Sequence, residues 1–376
     1  MRDNSAGIPL FVKFQPVSAT RESLLAALDS YVHPLIGRGL VAAGCVVDVQ
    51  PDATPQVTIE LGFPAAGIAA ALVADVKQLL QAECGVEVRV LIGCRILPQA
   101  VQKGLNPLPG VANILAVASG KGGVGKSTVA INLALALQAE GARVGILDAD
   151  IYGPSQPLML GSRDRPTSPD GKRMNPIIAH GLQAMSIGFL MADDAQPAVW
   201  RGPMATQALT QLLTETVWDD LDYLVIDLPP GTGDIQLSLS QRVPVSGSVI
   251  VTTPQDIALL DARKGLTMFR KVGIPVLGVI ENMATHVCTN CGHEEAIFGY
   301  GGGEKLACEA GTELLGSLPL DIRIREMADS GNPTVAADPE SPLSHRYRDI
   351  ARLAAARLAY GAAADAGFPS ITIVED

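Results

Sequence analysis

Between residues 18 and 95 the apolar positions keep two rhythms. "TRESLLAALDSYV" and "AAGIAAALVADVKQLLQ" repeat at helical spacing, while "QVTIEL" and "VEVRVLI" alternate as half-buried strands do, and "CVVDVQ" reads as a further strand. The predicted order is αββαβ, a small α+β unit. "NPLPG", residues 106–110, can continue neither helix nor strand, so residues 96–110 read as a linker. From 111 to 360 the rhythm changes: "NILAVAS", "RVGILD", "YLVIDL", "GSVIVTT" and "VLGVIE" are short, apolar and unalternated. Helical patterns such as "KSTVAINLALALQAE" and "IALLDARKGLTMFRKV" lie between them, and "SHRYRDIARLAAARLAY" is a terminal helix. Apolar strands alternating with helices predict an α/β fold, a mostly parallel sheet covered by helices on both faces. The tail, residues 361–376, reads as loosely held.

Composition narrows the setting. The chain of 376 residues is 48% hydrophobic and 18% charged, with a net charge of −11. A soluble globular protein fits, and a nucleic-acid surface, which needs a basic stripe, does not. The charge also disfavours anionic membranes. "IPLFV" is too short for a signal peptide, and no run reaches the roughly 18 apolar residues of a membrane span, so the expected location is cytoplasmic. Six cysteines are too sparse for a disulfide scaffold. Cys45, Cys84, Cys94 and Cys308 sit in apolar surroundings and are expected to be buried or semi-buried reduced thiols.

Residues 120–128 carry the strongest chemistry. Gly120-Lys121-Gly122-Gly123-Val124-Gly125-Lys126-Ser127 matches G-x-x-x-x-G-K-[ST] and is followed by Thr128. A predicted strand enters it and a predicted helix leaves it. Glycines at 122, 123 and 125 let backbone N–H groups turn inward as an anion nest, and the helix N-terminus adds partial positive charge. Lys126 is placed to reach the β- and γ-phosphates of ATP, and Ser127 to offer its hydroxyl to Mg²⁺. Lys121 is a second lysine, expected to extend across a dimer interface to the partner's nucleotide and stabilise charge there.

Acidic and amide residues end the neighbouring strands. "ILDADIYGPS" carries Asp148 and Asp150, where a carboxylate can hold a Mg²⁺ water or orient the attacking water. "YLVIDLPPGTGD" ends its strand in Asp227, the expected Walker B aspartate, with Asp234 seven residues on to sense the γ-phosphate. "VIENM" puts Asn282 at the sheet's C-terminal edge, where an amide can pair with an adenine edge.

"THVCTNCGHEE", residues 285–295, holds Cys288 and Cys291 at metal-ligand spacing. Two thiolates are half of a four-ligand site. Zinc with His286 and His293, a structural thiol pair, and an iron–sulfur cluster shared between two chains are the open readings. A two-fold dimer would complete four thiolates and also bring Lys121 to a second nucleotide.

Taken together, "GKGGVGKST", "DADIYGPS", "VIDLPPGTGD", "VIENM" and "CTNCG" followed by "IFGYGGGEKLA" resemble the Mrp/ApbC iron–sulfur cluster carriers, MinD-like P-loop NTPases with a deviant Walker A motif. The resemblance covers residues 111 to about 340. It implies a homodimeric ATPase that takes a 4Fe–4S cluster from an assembly scaffold to apoproteins. It implies Lys121 as the signature lysine acting across the dimer, Asp150 for water positioning, Asp227 for Walker B, Asn282 for adenine, and Cys288 with Cys291 for the cluster. The N-terminal unit is similar to the MIP18 family, but "FPAAG" places Ala65 and Ala66 where that family usually has a cysteine. The competing expectation is a MinD/ParA-like positioning ATPase with a structural zinc at the CxxC. The short acidic end "GFPSITIVED" counts against that.

Overall fold

A computed structural model describes residues 19–52, 54–191 and 202–361. The expectations for "IPLFV" and for the tail beyond Gly361 therefore lie outside the described residues. The chain divides into two compact units, one of residues up to 60 with 68–93, the other of 61–67 with 94 onward.

In the first unit the elements follow the predicted order: α1 (Arg21–Ser30), β1 (Val46–Gln50), β2 (Gln56–Leu61), α2 (Ala66–Cys84) and β3 (Arg89–Cys94). Thr20 caps α1, its side chain accepting from the Ser23 amide at 3.2 Å, which satisfies one of the helix's open donors. α2 buries Leu72, Val76, Leu80 and Cys84, one residue per turn on a single face. The sheet order is β1-β2-β3, with β1 antiparallel to β2. Strand β3 begins three residues later than the pattern "VEVRVLI" predicts.

The second unit is built on β4 (Val111–Ser119), α3 (Lys126–Ala139), β5 (Val144–Asp148), α4 (Gln156–Met159), β6 (Ile177–Ala179), β7 (Leu182–Ser186), α5 (Gly202–Glu215), β8 (Leu221–Asp227), α6 (Asp234–Arg242), β9 (Gly247–Thr252), α7 (Asp256–Lys271) and β10 (Val276–Glu281). A hairpin of β11 (His286–Val287) and β12 (Glu294–Glu295) follows, then α8 (Gly302–Glu309), β13 (Leu314–Ser317), α9 (Ile322–Asp329), α10 (Thr334–Ala337) and α11 (Pro342–Tyr360). Among the described residues the main sheet has eight strands in the order β13-β10-β9-β4-β8-β5-β7-β6. Its ladders are parallel except β6–β7 at one edge. The five predicted strands are all present and form its contiguous centre with β4, β5, β8, β9 and β10. Strands β6, β7 and β13 go beyond the predicted set.

The centre is buried throughout. All residues of β5 and β9 are buried, which explains why their sequences do not alternate. Helix α3 is buried on nearly every side, including Asn132. That amide is tolerated because both ends are paired: Nδ2 donates to the Thr128 carbonyl at 2.9 Å and Oδ1 accepts from the Val335 amide at 3.0 Å. At the far end of α3 the side chain of Glu140 is fully buried and accepts from Arg348 (2.7 Å) and Arg352 (2.5 Å), fixing α11 against α3. No helix among the described residues is long and apolar enough to cross a membrane.

Candidate functional site: a phosphate loop beside a cysteine hairpin

The parallel ladders align the strand ends. Asp148 and Asp227 are register partners on β5 and β8, and Ser119, which leads into the loop, pairs with Val251 of β9. The loop from Gly120 to Gly125 therefore leaves the carboxyl edge of the sheet beside the end of β8, which carries Asp227, with Asp148 one strand further on. Its turn is tight: Gly123 and Gly125 both take φ of 82°, a region that costs an L-residue about 1–2 kcal/mol. A Cβ on Gly125 would also lie 2.2 Å from Asn282 Nδ2, so only glycine lets that amide approach. Lys121 is half-buried, with its carbonyl held by the Ser119 hydroxyl at 2.8 Å. Val124 is buried, while Ser127 and Thr128 are half-buried on the first turn of α3.

Lys126 is buried and does not point outward. Its Nζ pairs with Asp227 Oδ1 and lies 3.2 Å from Ser127 Oγ. Gln156 completes the cluster, its Nε2 donating to Asp227 Oδ2 at 2.9 Å and to the Ser127 carbonyl at 3.1 Å. Its Oε1 is buried with no hydrogen-bond partner, as is the Ser155 hydroxyl.

Asp148 has a different job from the one its position alone allows. Its carboxylate accepts from the amides of Asp150 (3.1 Å), Ser155 (2.9 Å) and Gln156 (3.0 Å) and from the Ser186 hydroxyl (3.2 Å). It thus fixes the loop that presents Asp150 and Gln156. Burial, and then the Asp227 carboxylate, push Asp148 up to about 7. Asp150 is raised by burial too, opposed by Lys126. Gln156 and Ser186 carry no motif, and no signal in the sequence marks them. The side chain of Asp234 lies outside the described residues.

Asn282 sits at the end of β10. Its backbone amide donates to the Thr252 carbonyl at 2.7 Å and its Nδ2 to the Val124 carbonyl at 2.8 Å. The chain then passes through Met283, whose φ is 57°, into the hairpin that carries the cysteines. The turn between β11 and β12 is closed by the Cys288 amide to the His293 carbonyl and the Gly292 amide to the Cys288 carbonyl, 2.9 Å each. Hydrogen bonds from the amides of Asn290 and Cys291 favour the Cys288 thiolate, so its pKa lies below the ordinary cysteine value. None of the six cysteines is in a disulfide. Cys45 and Cys84 are buried as expected, but Cys94 and Cys308 are exposed; α8 turns Gly302, Gly303, Leu306 and Ala307 inward and leaves Cys308 outside. The Nδ1 of His286 is engaged with the Leu320 carbonyl at 3.0 Å. Among the described residues no three His, Cys, Asp or Glu side chains converge as a metal site.

A family model described as ParA, NUBPL iron-transfer P-loop NTPase, matches residues 110–355. The chain belongs to this family. It is 64% identical over 265 residues to the iron-sulfur cluster carrier protein of Pseudomonas fragi, covering 70% of this chain and 92% of that one. The iron-sulfur cluster carrier protein of Haemophilus influenzae is 54% identical over 334 residues, 86% of this chain and 88% of its own. Among solved structures, a nucleotide-binding protein of Archaeoglobus fulgidus in complex with ADP superposes with a TM-score of 0.54 at 35% identity, covering 63% of this chain and 91% of that chain. The P-loop NTPase fold expected from the sequence is the fold observed.

Proposed function

We propose that this protein is an ATP-hydrolysing carrier that receives an iron–sulfur cluster and delivers it to apoproteins. The observation that carries the reading is one of adjacency. The strand whose last residues touch the phosphate loop continues directly into the hairpin bearing Cys288 and Cys291. The family and the naming of its close relatives support the same reading and do not favour a positioning ATPase.

The residues take these roles. Gly120, Gly122, Gly123, Val124, Gly125 and Thr128 frame the phosphates with Lys126, which leaves Asp227 to meet them. Ser127, Asp227 and the unpartnered Oε1 of Gln156 are oxygen donors, the set that suits Mg²⁺. Bound there, the ion would supply positive charge to the phosphate oxygens. Asp150, held by the Asp148 network, orients the attacking water. Lys121 reaches a partner's nucleotide in a homodimer. Asn282 keeps its carbonyl oxygen for the adenine while its Nδ2 holds Val124.

Cys288 and Cys291 supply two thiolates per chain. A 4Fe–4S cargo wants four, and no third ligand converges within the described residues, which supports a cluster held between two chains. The same lack of a third converging ligand among the described residues counts against a single-chain zinc site. Both the scaffold and the acceptors are expected in the cytoplasm. The test is anaerobic reconstitution with an absorption spectrum and a metal count. Iron and sulfide at about four each per dimer, lost in Cys288→Ala and Cys291→Ala, are expected. Zinc, or an empty thiol pair, overturns the reading.

A further inference from the structure

The segment between the phosphate loop and the cysteine hairpin is anchored at both ends. At one end Asn282 holds the Val124 carbonyl and the Thr252 carbonyl. At the other, the backbone is zipped to the chain after β13 by the Leu318 amide to Glu281 O (2.8 Å), the Ala284 amide to Leu318 O (2.9 Å) and the Leu320 amide to Thr285 O (2.7 Å). The His286 ring meets Leu320 O at 3.0 Å, immediately before the cysteine turn.

Glu281 is the unused group in this region. It is 5% exposed and, although it lies within "VIENM", no role so far involves it. Its Oε1 accepts from the Gly303 amide at 2.7 Å, and its Oε2 from the Ser317 hydroxyl at 3.2 Å. Gly303 lies in the first turn of α8, the helix that receives the chain as it returns from the hairpin. A Cβ on Gly303 would lie 2.8 Å from Glu281 Cβ, so the glycine is what allows the approach. One carboxylate therefore ties the root where the hairpin loop leaves the sheet to the root where it comes back. A buried charge at such a place is costly unless each oxygen is paired, and here both are.

Between these anchors stands one strained joint. Met283 takes a left-handed φ of 57°, which an L-residue without a short polar side chain adopts only when its surroundings impose it. Its side chain lies over the phosphate loop, with Cε 3.7 Å from where a Gly125 Cβ would be.

We infer that Glu281 is a positioning residue that couples nucleotide occupancy of the phosphate loop to the setting of the Cys288–Cys291 hairpin. Phosphates draw the loop's amides inward and shift the Val124 peptide. Asn282 follows that carbonyl, and the joint at Met283 turns. Because Glu281 clamps both roots, the hairpin moves as one piece and does not merely fray. This rests on the carrier reading above, since it gives the coupled motion its use.

The test compares full-length wild type, Glu281→Ala and Glu281→Gln. Glutamine keeps one acceptor for Gly303 and one polar group for Ser317, so it separates loss of the clamp from loss of charge. The first readout needs no cluster: the iodoacetamide alkylation rate of Cys288 and Cys291 in metal-free protein, with and without ADP. Wild type and Glu281→Gln are expected to change rate by about fivefold on adding ADP, and Glu281→Ala to show no change while still binding ADP. The second readout is nucleotide dependence of cluster transfer, expected to follow the same order. Unchanged ADP sensitivity in a folded Glu281→Ala protein overturns the inference, as does a wild type whose thiols ignore ADP. Wild type that responds to ADP but never loads a cluster leaves the coupling standing and sinks the carrier reading instead.

Discussion

Lys126 of the phosphate loop and Asp227 of β8 form a buried ion pair, with Gln156 on the aspartate's other oxygen. In the proposed function the lysine serves the phosphates and the carboxylate the metal, so nucleotide binding would part the pair. Lys126→Ala is expected to abolish ATP hydrolysis and, by stranding a buried carboxylate, to lower stability by about 3–5 kcal/mol. A Lys126→Met/Asp227→Asn double variant is expected to recover most of that stability but no hydrolysis. Urea unfolding and phosphate release measure the two effects separately.

Asp148 predicts a pH dependence. Its folded pKa is raised to about 7, above the roughly 3.9 of an unfolded chain. The folded state therefore keeps a proton that the unfolded state gives up. The stability linked to that proton is full below about pH 4 and is lost as pH rises through about 7. Urea unfolding of nucleotide-free protein across this window should show wild type losing stability relative to Asp148→Asn as pH rises. A difference that stays constant with pH would contradict the assignment.

Cys288 predicts a reactivity profile. Amides of Asn290 and Cys291 favour its thiolate, so its alkylation should proceed at pH values below those needed for an unperturbed thiol. In urea the turn is lost and the profile should move up in pH. Peptide mass spectrometry after timed alkylation reads this directly.

Gly292 closes the cysteine turn at φ of 73°. Gly292→Ala should cost about 1–2 kcal/mol locally. The expected result is weaker cluster retention on incubation with a chelator, with ATP hydrolysis unchanged, since the residues that meet the phosphate loop, Asn282 and Met283, lie before the turn.

The sequence discloses what local pattern encodes. β4, β5, β8, β9 and β10 are legible because strands buried on both faces must be apolar runs, and the phosphate loop because its glycines and lysine are local. β6 (Ile177–Ala179) and β13 (Leu314–Ser317) are too short to rise above loop composition. The hairpin β11–β12 has two residues per strand, and its glutamates look like any solvated turn. Contacts over long separations leave no local trace. The amide of Asn282 on Val124, 158 residues apart, and that of Gln156 on Asp227, 71 apart, exist only once the sheet aligns its strand ends. Cys94 and Cys308 show the limit of composition, since apolar neighbours in sequence did not make them buried.

The cysteine hairpin has one more consequence. A two-stranded ribbon is marginal on its own in water, whereas the eight-stranded sheet beneath it is buried throughout its centre. Opening of the ribbon is therefore a small local event on a scaffold that stays folded. If the ribbon holds the cluster as proposed, grip on the metal and resistance to heat become separate traits of the same chain, so substitutions in the ribbon would retune how long a cluster is kept without moving the melting temperature.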